Sequence, residues 1–190
     1  MKRLLTQIML TLGLVAFGLT AMPSAPSFAQ AAPNSVIIVV DFARVNRESL
    51  AGKDITNQLE AYGIKLENRA KRLSDELQTE QESIVKQREL VAQDVFQNMV
   101  AEFQNKRERA EAEIQEKNEQ RQRALRQASA ELENALRPII RQLMQEKKAN
   151  LVLDKNVVFD QLDGLDVTTQ VIERLNKQLP SLKVSLPDLP

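Results

Sequence analysis

The sequence predicts an α+β fold, mostly α, in which a small β-rich body carries a long antiparallel helical hairpin, a coiled-coil arm. Three observations predict it. A run of five β-branched residues, Val36-Ile37-Ile38-Val39-Val40, reads as a buried strand. Between Gly63 and Gly164 there is no glycine and one proline, Pro138, in a stretch rich in Glu, Gln, Lys, Arg, Ala and Leu. That is the composition of long helices and coiled coils. Beyond it short apolar runs return, Leu151-Val152-Leu153 and Val157-Val158-Phe159, around the turn-forming Asp154-Lys155-Asn156.

The chain opens on a segment outside this fold. Met1-Lys2-Arg3 precedes an apolar stretch from Leu4 to Met22, and Pro23, Pro26 and the small residues of Ser27-Phe28-Ala29 follow at once. This is the order of a secretory signal, placed at residues 1–29, with Ala31 and Ala32 as alternative cut points. The competing reading is an uncut membrane anchor, because the apolar run is close to the ~20 residues that span a bilayer. The helix breakers that follow favour cleavage. No cysteine is present, so attachment through a lipid-modified cysteine is excluded. Residues 30–190 are then one domain, with a body at 35–53 and 138–180, a hairpin arm at 54–137 and a proline-containing tail at 181–190.

Composition narrows the function. Basic and acidic residues number 26 each, and loss of Lys2 and Arg3 with the signal leaves 24 against 26. Such a balance does not suggest a nucleic-acid binder. The absence of cysteine excludes disulfides, and the absence of histidine removes the usual general base and the commonest metal ligand. No catalytic residue, metal site or cofactor is assigned. Aromatics, at 4%, are too few for a large conventional core or a base-stacking surface.

The elements follow in order. After the first strand, Asp41-Phe42-Ala43-Arg44-Val45 turns towards a short helix, and Gly52 marks a break. The outward limb keeps 3/4 or 7 spacing at Leu59, Gly63, Leu66, Ala70, Leu73, Leu77, Ile84 and Val91. The return limb does the same at Phe96, Val100, Phe103, Ala110, Ile114, Leu125, Ala128, Leu132, Ile139 and Leu143. That is a narrow seam of the coiled-coil kind. One continuous helix would exceed about 130 Å, so the chain turns back, and Leu90-Val91-Ala92-Gln93-Asp94 is the expected tip. Asp94 is placed as N-cap, with Gln97 completing a capping-box-like pair. Pro138 is expected to kink or interrupt the return limb, and Asn150 to end it in a left-handed conformation. Leu151–Leu153 and Val157–Phe159 read as a β-hairpin. Asp166 caps a last amphipathic helix with Val167, Val171, Ile172, Leu175 and Leu179 on its apolar face, and Pro180, Pro187 and Pro190 leave a tail that cannot continue it.

This order of elements resembles the OmpH/Skp family of periplasmic chaperones for outer-membrane proteins. The residues that carry the resemblance are Val36-Ile37-Ile38-Val39-Val40-Asp41 and Asn150-Leu151-Val152-Leu153-Asp154-Lys155-Asn156-Val157-Val158-Phe159. Asp166-Val167-Thr168-Thr169-Gln170-Val171-Ile172-Glu173-Arg174-Leu175-Asn176 is the third piece. The resemblance implies a homotrimer in which the bodies form a β-rich hub, the trimerisation body, and three hairpins surround a cavity. Unfolded outer-membrane proteins would be held there without ATP. Positive arms in that family have been associated with anionic membranes or lipopolysaccharide. Here residues 55–148 hold 17 basic and 17 acidic side chains, so no lipid-binding site is carried over and membrane or lipopolysaccharide contact stays open.

The residues themselves supply a physical basis. A body of a few short strands leaves apolar surface and sheet edges exposed, so Val36, Ile37, Ile38, Val39, Val40, Leu151, Val152 and Leu153 are the expected oligomerisation residues. Val95, Phe96, Met99, Val100 and Phe103, just past the tip, are the expected client-binding residues, since Met and aromatic side chains adapt to varied partners. Core packing against the partner limb is the competing reading of the same stripe. Glu80, Gln87, Arg107, Lys117 and Arg121 interrupt the seam where apolar knobs are expected, which weakens it, unless they snorkel or pair across the hairpin. The sequence therefore favours an ATP-independent holdase over its alternative, a coiled-coil spacer or scaffold of the cell envelope. An enzyme is disfavoured: Asp41, Asp154, Asp160, Asp163 and Asp166 sit at turns and helix starts, where capping explains them.

Overall fold

A computed structural model describes residues 35–189, so the segment read as a signal lies outside the described residues. Strand β1 (Ile37–Val40) pairs in parallel with β2 (Leu151–Asp154), Ile37 opposite Leu151 and Val40 opposite Asp154. Parallel strands need a crossover. Here it is the entire helical region, α1 (Phe42–Glu48), α2 (Leu50–Gln87) and α3 (Gln93–Lys147). The other edge of β1 is closed by the segment before the last helix, α4 (Thr168–Gln178). Val39 N–H donates to Leu165 O at 2.8 Å, and Val167 N–H to Val39 O at 2.9 Å. Among the described residues no strand pairs with the outer edge of β2.

The expected β-hairpin does not form. Asp154 Oδ1 accepts the N–H of Asn156 at 3.1 Å, and Val158 N–H donates to Lys155 O at 3.1 Å. These bonds tighten Lys155–Val157 into a single 3-10 turn, and Val157–Phe159 form no strand. The apolar run of β1, over a hundred residues away, supplies the edge that a local partner was expected to supply.

Helix starts follow their caps. The Asp41 carboxylate accepts Arg44 N–H at 2.7 Å, and Ser49 Oγ accepts Gly52 N–H at 3.1 Å. Gly52 is not a break. It lies inside α2, where a Cβ would stand 2.0 Å from the Asn46 carbonyl oxygen, so α1 and α2 approach closely only because this side chain is missing. The tip falls at Arg88–Ala92, and Ala92 rather than Asp94 is the N-cap of α3. Asp94 sits in the first turn, where its charge favours the helix dipole without a capping bond. Pro138 does not interrupt α3, which continues to Lys147. Leu136, Ile139 and Leu143, all in the body core, anchor the helical turns on either side of it. The left-handed stop is Lys148 (φ 54°), not Asn150, and Ala149 N–H closes the end by donating to Met144 O at 2.8 Å.

One core runs from the sheet into the base of the hairpin. It joins Ile38, Val40, Val45 and Ile55 with Ala124, Ala128, Leu132 and Leu136 on α3 and with Val167, Val171 and Leu175 around α4. Asp166 starts α4 from just before its N-cap: Oδ1 accepts both the backbone N–H and the hydroxyl of Thr168. The tail does not simply leave the body. Residues 179–189 lie along the hairpin, with Leu182 and Val184 buried in the same core.

Candidate functional site

Packing between the limbs changes along the arm. Near the body the seam is made of buried Ile55, Tyr62, Leu66, Ala124, Ala128 and Leu132. Beyond it, Ala110 and Ile84 are the only buried apolar residues of the arm among those described. Between these regions lies an open cleft of about 1000 Å³. Ala70, Leu73, Leu77, Ala110 and Ile114 form its apolar lining, and Arg107, Glu111, Glu119, Arg123 and Arg126 surround them. The cleft exists because short side chains and polar residues occupy places where a zipper would carry Leu or Ile.

Ion pairs do part of the work that apolar knobs would do. Arg69 grips Glu113 across the hairpin with two bonds, at 2.8 and 3.2 Å, and Lys106 pairs with Glu80. The Arg69 bond holds the Glu113 carboxyl below its ordinary pKa, and Glu80 raises that of Lys106. Of the interrupting residues, Glu80 therefore pairs across the hairpin, Arg107 faces Glu111 along its own helix, and Lys117 donates to the tail at Asp188 O. Arg121 Nε and the Tyr62 hydroxyl are buried without a hydrogen-bond partner. Burial raises the Tyr62 phenol above its usual pKa, and the Arg121 charge pulls it back.

The residues expected to bind clients lie together just past the tip. Val95 is exposed, while Phe96, Met99, Val100 and Phe103 are half-buried on α3. Those expected to oligomerise divide. Ile38, Val39 and Val40 are buried within the chain's own core, Ile37, Val152 and Leu153 are half-buried, and Val36 and Leu151 are exposed. Sequence reasoning missed the apolar surface beside them: Val157, Leu162 and the fully exposed Phe159, on the loop that follows β2. The signal was present, since an apolar run that fails to form a strand has nothing local to cover it. It also missed Asp54 and Gln58, which bind the tail.

A split parallel sheet whose crossover is a long, imperfectly closed helical hairpin defines an arm-bearing α+β protein. The chain belongs to the OmpH-like family: the family model described as outer membrane protein (OmpH-like) matches residues 36–175. Among solved structures, the chain is similar to a crystal structure described as that of a candidate OmpH-like outer membrane chaperone from Caulobacter crescentus. The TM-score is 0.75 at 19% identity, over 82% of this chain and 92% of that one, which speaks for the fold. No curated protein matches the chain.

Proposed function

We propose that this chain is a periplasmic, ATP-independent holdase that binds unfolded outer-membrane proteins and keeps them from aggregating, and that it works as a homotrimer. The observation that carries the reading is the apolar cleft between the limbs, together with the half-buried Met and Phe residues past the tip. An arm held by ion pairs and small residues can change its opening at low energetic cost, which suits clients of different sizes. Family membership and the signal-like order of residues 1–29 support the same reading.

The body supports assembly. Among the described residues no strand covers the outer edge of β2, and Leu151, Val157, Phe159 and Leu162, on β2 and the segment after it, are exposed apolar side chains that a lone chain would leave in water. Light scattering on the mature protein is expected to give three times the chain mass, and a monomer would remove the hub. For function, a urea-denatured porin is diluted into buffer with and without the protein. Suppressed scattering is expected. Unchanged scattering would instead favour the spacer, a hairpin that bridges folded partners of the envelope.

A further inference from the structure

The C-terminal strap is a peptide seated in a groove, and the groove reads it as it would read a strand. Leu182 and Val184 point into the hairpin and are 6% and 4% exposed, while Ser181, Lys183 and Ser185 between them face solvent. This is the period-2 alternation of an extended chain. The backbone is recognised by side chains of α2. Leu182 N–H donates to Asp54 Oδ2 at 3.1 Å. The Gln58 amide spans two residues: its Nε2 donates to Leu182 O at 2.9 Å, and its Oε1 accepts Val184 N–H at 2.9 Å. A neighbouring strand would offer the same donor and acceptor. Further along, Leu186 and Pro187 lie over Gln120, Ala124 and Gln127 of α3, and Lys117 donates to Asp188 O at 2.9 Å.

None of these polar contacts depends on the identity of the strap's side chains; the apolar sockets ask only for a hydrophobic residue at every second position. The strap lies beyond residue 175, where the family match ends. We propose that this groove is a binding site for extended peptide segments with alternating apolar and polar side chains, and that the strap is its resident intramolecular occupant. The proposal rests on the client-holding reading above and names one of its sites. Membrane strands of β-barrels carry this alternation when unfolded.

Tethering sets the order of events. A covalently attached strap competes at an effective concentration in the millimolar range. A single free segment is therefore a weak competitor. An unfolded barrel of about eight or more strands offers many such segments at once, and in the proposed trimer linked segments can engage several grooves together, so that avidity displaces the strap. The groove would thus stay covered against isolated loops and open to an unfolded client.

Two measurements test it. Amide hydrogen exchange at Leu182 and Val184 is followed in the full chain before and after adding urea-denatured porin. Displacement is expected to speed exchange there by about tenfold or more while the Val39 amide in the sheet stays protected. Unchanged strap protection while the porin is kept soluble would overturn the proposal and leave the holdase reading intact. Separately, a fluorescent peptide of residues 179–190 is titrated against wild type and Leu182→Asp, which frees the groove. Binding is expected to be about tenfold or more tighter to the variant, and a shuffled peptide with its apolar residues adjacent is expected to bind neither. Equal binding of the peptide to both proteins would overturn the proposal. Val184→Ser serves the same purpose should Leu182→Asp not fold, and this arm stands even if porin aggregates regardless.

Discussion

The base of the hairpin and its distal half are built from the same two helices but held by different forces. At the base, Ala124, Ala128, Leu132, Leu136 and Ile139 bury against α2 and the body, and the strap covers the groove with Leu182 and Val184. Hydrophobic burial there is continuous with the sheet and with α4. In the distal half, Leu73, Leu77 and Ile114 are only half-buried around an open cleft, and ion pairs span the gap. The lesson is one of division. A rigid base positions the arm, and a weakly sealed outer part can change shape without threatening the fold.

The largest expected effect breaks this comparison directly. Leu143 is fully buried where α3 meets the body, so Leu143→Ala leaves a cavity and is expected to cost about 2–5 kcal/mol. Leu77 borders the open cleft, and Leu77→Ala is expected to cost less than about 1 kcal/mol, because part of that side chain is already in water. Urea denaturation followed by circular dichroism checks both. Equal losses would mean that the distal limbs close tightly in solution, and the contrast between the two halves would fail.

How far the sequence discloses this architecture depends on whether an interaction is local. The long helices were legible because glycine is absent over a hundred residues and the apolar spacing is narrow. Helix α4 was legible from Asp166 and the stripe of Val171, Ile172 and Leu175. Pairing was not. Val157–Phe159 has every strand-like property, yet β2 takes β1 as its partner, since nothing local ranks a nearby edge above a distant one. Pro138 does not interrupt its helix, since packing of its neighbours Leu136, Ile139 and Leu143 outweighs one lost helical bond. The apolar stripe past the tip was visible as a pattern, but the cleft depends on how far apart two helices stand. The strap was hidden for the same reason: its alternation acquires meaning only beside Gln58.

A smaller effect separates a body ion pair from those of the arm. Asp166 accepts from Lys155 at 2.8 Å and from the Thr168 hydroxyl and N–H. Burial works against the charged form, but these partners outweigh it and lower the Asp166 pKa from 3.8 to about 2. A depressed folded-state value stabilises the protein fully above the ordinary aspartate range and is lost as pH falls through about 2. The contribution is at most about 2 kcal/mol, reduced by the solvent that reaches this site. Asp166→Asn is therefore expected to lower the urea midpoint at pH 7 and to narrow its gap from wild type as the pH drops towards 2. A gap that is constant over this range would assign the loss to helix capping alone.

The smallest expected effect lies in the arm, and it sharpens the comparison most. Arg69 and Glu113 form the best-aligned bridge between the limbs, with two bonds and partly shielded side chains. Even so, a pair between flexible side chains near solvent is expected to couple by about 0.5–1 kcal/mol in a double-mutant cycle of Arg69→Ala and Glu113→Ala. The coupling is expected to shrink with added salt, since counter-ions reach both groups. Amide exchange is expected to quicken around Leu73, Leu77 and Ala110 in the single variants while Val39 and Leu143 remain as protected as in wild type. Such a pattern makes the bridge a latch, strong enough to bias the limbs together and weak enough to release. A coupling several times larger, insensitive to salt, would make the arm a strut and would return the weight of the function to the spacer.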